Sequence, residues 1–468
     1  MWNIKQSTSI SETLRASVQF PRPRMAFAFT NTGPTLVRRA MNAASGLARA
    51  WSALPTVVAS LVLSLMGIYA IDVAESRTPS PAFSSQSSIP SSEAEVGEGV
   101  GMGMAVGVRS TESAAAGGVF GLSYSAGRQL AYLAVGLGAM LFVLWPHYRA
   151  MGYISWGLLG IAVVLLLFLI IPGVPLSIVR PRNGARAWID LGVSDFQPSE
   201  MAKIAYVLVL AWYLRFSKNH RTFAGLLPPA IITAIPVGLI MLQPDLGTVL
   251  LFLPVLFGVL VAAGAKLKHL ILVVALAMAA APAAYLVLKP HQRARIDGLM
   301  LQMKGDTSAD QDMNMQSVTS QRMAGAGGLA GNSDESTRTL LYFNALPERK
   351  TDMIFSVIVN RFGLLGGLFT IALYGLWVAG ALTTAVICRE PFGRLVCVGL
   401  TGFIVAQVVI NAGMNLGIVP IIGITLPYVS HGGSSLVAVW MMTGLIVNIA
   451  MRRPKMALRR SFEYDDTE

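Results

Sequence analysis

Long apolar runs, separated by polar or glycine- and serine-rich stretches, dominate the pattern of the chain. Most have about 18 to 25 residues, enough for a helix to cross the ~30 Å hydrocarbon core of a bilayer. The pattern predicts an all-α polytopic membrane protein with about ten transmembrane helices, of which the eighth is long enough to tilt or break. The predicted spans are 55–72, 129–146, 154–173, 199–215, 224–242, 246–264, 268–288, 354–386, 395–413 and 433–451.

Composition supports the membrane prediction. Hydrophobic residues make up 54% of the 468 residues and charged residues only 13%, and the mean hydropathy is +0.60. A soluble domain carries roughly 25% charged residues. A soluble globular protein is therefore excluded.

The basic residues predict the orientation of the spans. Lys and Arg concentrate in short cytoplasmic loops, and here they lie in both tails and in alternate connections, which carry Arg149, Arg215, Lys266 and Arg389. Both termini are therefore expected in the cytoplasm. The net charge of +12 is explained by this topology and by attraction to membrane lipids. Nucleic acid is not an expected partner, because no basic and aromatic binding module accompanies the charge.

The spans divide the chain into a membrane domain, residues 55–452, and two cytoplasmic tails, 1–54 and 453–468, of which the first is expected to be disordered. Two long connections fall on the outer side. Residues 73–128 are of low complexity, and we assign them no chemistry. Residues 289–353 form a large polar loop between helices 7 and 8, and loops of that length are usually functional or disordered.

Charged or polar residues occur at the starts of four predicted spans. The motifs are "QPSEMAK" with Glu200 and Lys203, "MLQPDLGT" with Asp245, "ERKTDMIFSV" with Asp352, and "LPYVSHGGSSL" with Ser430 and His431. Glu200 and Lys203 share one helix face because they are three residues apart, and Thr351 is a candidate cap for the eighth span. All four motifs lie at outer ends of spans, where charged groups normally face a cavity and mark function. The sequence predicts a polar pocket that opens at the outer leaflet.

The outer connection 174–197 contradicts the positive-inside pattern, and its basic residues suggest an anionic ligand. These residues are Arg180, Arg182 and Arg186.

Each motif also has a structural explanation. A proline followed by an acid can simply begin a capped helix, and the Glu200–Lys203 pair could be purely structural. His431 could be a packed or interfacial residue, and "SHGGSS" a flexible start of a helix. Four such motifs on one side of the membrane favour the functional interpretation.

At these motifs the sequence resembles the SEDS family, the proteins of shape, elongation, division and sporulation typified by RodA and FtsW. The stretches "NGARAWIDLG", "FQPSEMAK", "QPDLGTVLLFL", "LPERKTDMIFSVI" and "NLGIVPIIGITLPYVSHGGSSL" follow the order and spacing of that family, and the likeness runs from about residue 125 to 452. "HQRARI", "MQSVTSQRMAGAGGLAG" and "INAGMNLG" look closer to RodA than to FtsW.

The resemblance implies a ten-span enzyme at the outer face of the bacterial cytoplasmic membrane. Such a protein is a peptidoglycan glycosyltransferase that polymerises lipid II into glycan strands, beside a class B penicillin-binding protein that crosslinks them. A sugar hydroxyl of lipid II attacks the anomeric carbon of the glycan linked to undecaprenyl pyrophosphate. The reaction needs a base for the hydroxyl proton and cations for the departing pyrophosphate.

The resemblance also implies residue roles. Asp352 is the essential acid, and Glu200, Lys203, Asp245 and Ser430 match other polar positions of the cavity. The three outer arginines are candidates for phosphate or substrate contact. A divalent cation, Mg²⁺ or Mn²⁺, could bridge the carboxylates and the pyrophosphate, although the sequence contains no diagnostic ligand cluster.

The chain departs from the usual family motifs at a few positions. Lys350 stands before "TDMIF" where relatives usually have His, Asn360 and Arg361 replace an expected acidic pair, and His431 replaces a Tyr. Two rival functions stay open: a flippase or transporter of the lipid-linked precursor, whose signature would be helices broken near the midplane, and a non-catalytic scaffold for the crosslinking enzyme. The motifs cluster at one face, which favours the polymerase. The sequence does not separate roles in elongation, division or sporulation.

Overall fold

The computed structural model describes residues 49–75, 122–172, 174–175, 177–179, 181, 185–192, 194–217, 219–287, 290–304 and 314–453. The helices within these residues are α1 (Leu54–Ala74), α2 (Tyr124–Leu144), α3 (Tyr148–Ile170), α4 (Pro198–Leu214), α5 (Leu227–Leu242), α6 (Leu246–Ala263), α7 (Leu267–Val287), α8 (Pro290–Met303), α9 (Met315–Ala326), α10 (Asp334–Phe343), α11 (Ile354–Ile387), α12 (Pro391–Asn415) and α13 (Gly433–Arg452). A short antiparallel hairpin pairs β1 (Ile189–Asp190) with β2 (Asp195–Phe196) just before α4.

Every predicted span coincides with a helix. In the described residues, eight helices are long and apolar enough to cross a membrane: α1, α2, α3, α5, α6, α11, α12 and α13. The two remaining predicted spans, 199–215 and 268–288, coincide with α4 and α7. The chain is a multi-pass, all-α membrane protein, as the apolar pattern predicted.

Helix α4 lies inside the bundle. It packs against α3, α5, α12 and α13, and most of its side chains are buried. Tyr206 and Thr233 join α4 to α5 through their hydroxyl groups, 2.9 Å apart. A helix that is apolar on all sides belongs in such a position, so its two charged residues, Glu200 and Lys203, are the feature that needs an explanation.

The eighth span, predicted to be long enough to tilt or break, is broken at Gly363 of α11, where φ is 69° and ψ is −171°. The N–H groups of Leu364 and Leu365 leave the helix and donate to the carbonyls of Gly328 and Leu329. A Cβ at position 363 would lie 2.2 Å from the Leu329 carbonyl oxygen, and only glycine adopts this φ without strain. The segment after α9 is thus inserted against the broken helix.

Within its described residues, the loop 289–353 contains three helices, α8, α9 and α10, where the sequence predicted only a long polar loop. Helix α10 is fixed to α1, because the Tyr69 hydroxyl donates to Asp334 at 2.6 Å and Arg338 pairs with Asp72 at 3.1 Å. Arg361, one of the departures from the family motif, forms an ion pair with the same Asp334. The departure therefore serves to hold α10 against α11.

The predicted boundaries were partly wrong. Residues 73–74 continue α1 and residues 124–128 begin α2, although all were placed in the outer loop 73–128. The tails, apart from residues 49–54 and 453, and most of that loop lie outside the described residues. Both cysteines, Cys388 and Cys397, are buried.

Candidate functional site

A buried ion pair sits in the first turn of α4. Pro198 occupies the first helical position, as predicted, and Glu200 lies in the first turn. Lys203 Nζ donates a hydrogen bond to Glu200 Oε1 at 2.9 Å and makes an ionic contact of 2.9 Å with Oε2, outside hydrogen-bond geometry. The side chains are 1% and 6% exposed, so each charge depends on the other for compensation.

Asp245 caps the start of α6. Its Oδ1 accepts the Thr248 N–H at 3.0 Å and its Oδ2 accepts the Thr248 hydroxyl at 2.8 Å. Asp245 also lies within electrostatic range of Glu200 and Lys203. The structure therefore brings these three predicted residues together, and the capping role offered as the structural alternative is present as well.

The connection between α12 and α13 links Asp245 to Asp352. A Cβ on Gly247, in the first turn of α6, would lie 2.6 Å from the Ile422 carbonyl oxygen. The backbone of α6 therefore packs directly against the backbone of this connection. Gly423, whose φ is +75°, lies beside Asp352, with its Cβ position 3.6 Å from Oδ2. The Asp245 and Asp352 motifs thus border one short stretch of backbone.

The turn that carries Asp352 is held through three successive carbonyl groups. The Lys350 carbonyl accepts the His431 N–H at 2.8 Å, and the Thr351 carbonyl accepts the Ser430 hydroxyl at 2.6 Å. The Asp352 carbonyl accepts two side-chain amides of α12, from Asn411 and Asn415, at 2.8 and 3.0 Å. The backbone beside the predicted essential acid is fixed from two neighbouring elements.

Ser430 is buried, and its hydroxyl also accepts the Leu426 N–H at 2.7 Å. The hydroxyl is therefore used to hold backbone, and a direct contact with substrate stays a prediction. Thr351 does not cap α11, contrary to the sequence prediction: its hydroxyl donates instead to Glu348 Oε2 at 2.7 Å, and the helix begins three residues later, after Met353, without a side-chain cap. Thr351 does not occupy the cap position, because Met353 is the residue that directly precedes the first helical residue, Ile354.

His431 is half-buried beside Tyr132, with 6.1 Å between ring centroids. Burial, together with the positive charges of Arg128 and Lys350, lowers the pKa of His431 to about 4, against a smaller opposite effect of Glu75. The imidazole is therefore neutral at physiological pH, as expected of a packed histidine.

The three outer arginines are only partly described. Arg186 lies before β1, half-buried, and its Nε has no hydrogen-bond partner. Arg180 and Arg182 lie outside the described residues. Their predicted contact with phosphate stays a prediction.

A cavity of about 580 Å³ opens beside the Asp352 turn. Its lining includes Glu348, Arg349, Lys350, Thr351, His431 and Tyr342, together with the apolar Ala345 and Leu346. Charged groups of both signs therefore border the cavity, and Asp352 lies next to this lining rather than in it. Pockets of this size commonly bind small ligands. Among the described residues, no group of three or more His, Cys, Asp or Glu side chains is placed to hold a metal ion.

Sequence reasoning missed several residues that build this site. Asn411 and Asn415 were detectable in principle, since two amides four residues apart in an apolar helix need polar partners. Gln129, which donates to the Ser430 carbonyl at 3.0 Å, could have been found in the same way. Glu75, which contacts Lys350 at 3.0 Å, could not be recognised from the sequence, because a charged residue directly after a membrane span is common.

The fold and the site together define a polytopic helical membrane protein with an acidic residue on a fixed turn, beside a cavity bordered by charged side chains. A family model described as "Cell cycle protein", that of FtsW, RodA and SpoVE, matches residues 100–455. The chain belongs to this family, the SEDS proteins.

Individual relatives agree with this assignment. The chain is 32% identical over 330 residues to stage V sporulation protein E of Bacillus subtilis, a match that covers 70% of this chain and 87% of that protein. It is 35% identical over 314 residues to a probable peptidoglycan glycosyltransferase FtsW of Thiomicrospira cyclica, covering 65% and 75%.

Solved structures show the same fold. RodA of Thermus thermophilus superposes with a TM-score of 0.56 at 26% identity, over 86% of this chain and 97% of that one. A chain of a peptidoglycan synthase complex gives a TM-score of 0.59 at 31% identity, over 70% and 89%. Because these relatives carry names of sporulation, division and rod shape, they do not distinguish the predicted closer likeness to RodA.

Proposed function

We propose that this protein is a peptidoglycan glycosyltransferase that polymerises lipid II into glycan strands. Its family and its relatives named as peptidoglycan glycosyltransferases support the activity. The observation that carries the proposal is the Asp352 turn, whose backbone is fixed through carbonyl groups beside a cavity of about 580 Å³. Glycosyl transfer needs such a base in a fixed position, next to room for a sugar.

In the proposed reaction, Asp352 takes the proton from a sugar hydroxyl of lipid II. The hydroxyl oxygen forms a bond to the anomeric carbon of the growing glycan, while the bond from that carbon to the pyrophosphate oxygen breaks. Undecaprenyl pyrophosphate leaves with the bonding electrons and its added negative charge. Cationic side chains stabilise that charge best when they are already in place.

The residues around Asp352 suggest how the work is divided. Arg349 lines the cavity and donates to the Leu341 carbonyl at 3.2 Å, so its guanidinium is fixed and available to an anion. The buried Glu200–Lys203 pair and Asp245 form a second polar group, for which we propose substrate placement. Arg180, Arg182 and Arg186 remain candidates for pyrophosphate contact.

A divalent cation that bridges the carboxylates and the pyrophosphate stays a prediction. Asp245 uses both oxygens on Thr248 and Glu200 is paired with Lys203. We therefore derive no step through Mg²⁺ or Mn²⁺.

We further propose that the Asp352 end of the bundle faces outward from the bacterial cytoplasmic membrane and that both termini are cytoplasmic. The basic residues of the short connections, among them Arg149, Arg215, Lys266 and Arg389, adjoin the opposite ends of the helices. A class B penicillin-binding protein is the proposed partner. The solved relative from a peptidoglycan synthase complex that couples polymerization and crosslinking supports this proposal.

The decisive experiment is Asp352→Asn, which keeps the size of the side chain but removes the base. Purified wild-type protein with its transpeptidase partner should convert fluorescent lipid II to polymer, and the variant should lose at least about a hundredfold in rate, as expected for removal of a general base. Ser336→Ala, an exposed position on α10, is the control and should keep the wild-type rate.

Full polymerisation by Asp352→Asn would refute the catalytic role. An inactive wild-type protein, shown to be folded by its thermal unfolding, would instead favour precursor transport or a scaffold.

A further inference from the structure

The side chain of Lys350 connects the Asp352 turn to two helices, α1 and α2. Its Nζ lies 3.0 Å from Glu75 Oε2 and donates a hydrogen bond to Ser125 Oγ at 2.9 Å. Glu75 ends α1, and Ser125 lies in the first turn of α2. The Ser125 N–H donates to the same Glu75 carboxylate at 3.3 Å. Lys350, two residues before Asp352, thus connects the Asp352 turn with the end of α1 and the start of α2.

We infer that Lys350 and Glu75 form a positioning pair that fixes Asp352 for the transfer reaction. The inference rests on the proposed function. Glu75 precedes the residues that the family model matches, and Lys350 departs from the usual motif of the family. The pair gives the first span a part in the site.

The remaining contacts of the turn show why the pair matters. The three carbonyl contacts come from α12 and from the segment before α13, so they hold the turn through its backbone. Glu348, within the same turn, has a φ of +50°, and a non-glycine residue keeps such a conformation only where its surroundings fix it. The contact of Lys350 with Glu75 and Ser125 adds a side-chain attachment to the end of α1 and the start of α2.

The pair is better suited to positioning than to stabilising the fold. The side chains of Lys350 and Glu75 are 27% and 25% exposed, and ion pairs with such access to water contribute little to stability. The reaction rate is more sensitive to the position of the catalytic acid, because a displacement of about 1 Å can slow an enzyme by on the order of a hundredfold.

The described charged groups around Glu75 favour its ionised form. Arg349 and Lys350 both act on it, and the nearby His431 is neutral. Burial raises the pKa of Glu75, but the hydrogen bonds from Ser125 and Lys350 and the lysine charge together hold it below its ordinary value. The ion pair is therefore complete at neutral pH.

A double-mutant cycle tests the pair in the full-length protein. Lys350→Met and Glu75→Gln should each lower kcat about tenfold because the acid is displaced. Glu75→Gln should leave KM nearly unchanged, since Glu75 does not line the cavity. The double variant should be no slower than either single one, because the two residues act as a unit. Exchange of the charges, Glu75→Lys with Lys350→Glu, should recover most of the rate.

Arg338→Met is the matched control. Its pair with Asp72 also joins the outer loop to the end of α1, with side chains 25% and 16% exposed, but it does not contact the Asp352 turn. This variant should keep the wild-type kcat. Unchanged kcat in Lys350→Met and Glu75→Gln, or an equal loss in Arg338→Met, would overturn the inference.

Hydrogen exchange supplies a readout that does not depend on activity. The N–H groups of Thr351 and Met353 both donate to the Glu348 carbonyl, so the turn should exchange slowly in the wild type. Lys350→Met and Glu75→Gln should speed exchange in this turn, whereas Arg338→Met should not. If the wild type made no glycan but the turn loosened in this way, the proposed function would fail and the positioning pair would stand. Unchanged exchange would refute the pair.

Discussion

Variants of the buried pair of Glu200 and Lys203 can distinguish a role in stability from a role in glycan synthesis. Replacing Lys203 by Met leaves the Glu200 carboxylate, 6% exposed, without its cation at the end of a buried helix. Replacing Glu200 by Leu leaves the lysine, which is 1% exposed, with the neutral Phe403 ring at 5.9 Å and with Asp245 within electrostatic range. Removing one partner of a buried pair costs about 3–5 kcal/mol.

The double replacement has a different expected outcome. With both charges gone, no uncompensated ion remains, and apolar substitutes of similar volume in a buried pair are often neutral or stabilising. The Glu200 carboxylate also lies at a helix N-terminus, so its loss forfeits roughly 0.3–1 kcal/mol of favourable dipole interaction. The double variant should therefore regain nearly all of the stability lost in either single variant.

Activity should not return with stability. Asp245 lies in the electrostatic range of both residues, and we propose that the three together place the substrate. Thermal unfolding in detergent and lipid II polymerisation should be measured for the wild type, both single variants and the double variant. If the double variant regained glycan synthesis together with its melting temperature, the pair would be purely structural and our reasoning would be refuted.

Two further predictions concern orientation and pH. Native Cys388 is 1% exposed, so a lack of reaction with a thiol reagent would not report its side of the membrane. Single cysteines introduced at the exposed positions Ser336 and Asn219 are better probes. In intact cells an impermeant thiol reagent should label the cysteine at 336 and not the one at 219, and the reverse pattern would invert the topology. The lowered pKa of Glu75 means that its pairing stabilises the protein above the ordinary carboxyl pKa of about 4.3 and that this contribution is lost as the pH falls through the lower folded-state pKa. Glu75→Gln should therefore lower the melting temperature slightly at pH 7 and not in acid, and a difference that grew with acidity would contradict this sign.

Much of the membrane domain could be predicted from the sequence, because the length of an apolar run and the thickness of a bilayer are local quantities. The span predicted at 433–451 is the helix Gly433–Arg452, and the long eighth span breaks at Gly363. The residues of the four motifs were likewise found without the structure, since a charge in an apolar helix is conspicuous in one dimension.

The loop between α7 and α11 was not predicted as helical, because its helices depend on distant partners. Helix α10 is fixed by Tyr69 and Asp72 of α1, more than 260 positions earlier in the chain. A short helix gains most of its stability from such packing. No pattern within the loop contains that information.

The arrangement around Asp352 was decided by tertiary structure for the same reason. The motif identified the acid, but its carbonyl is held by Asn411 and Asn415 and its turn by Glu75 through Lys350. These partners come from the ninth span and from the end of the first, and a hydrogen bond forms only where the folded backbone brings donor and acceptor within about 3 Å. The sequence determined which polar and charged groups had to be kept away from lipid, and the packing of the helices determined which of these groups contact one another.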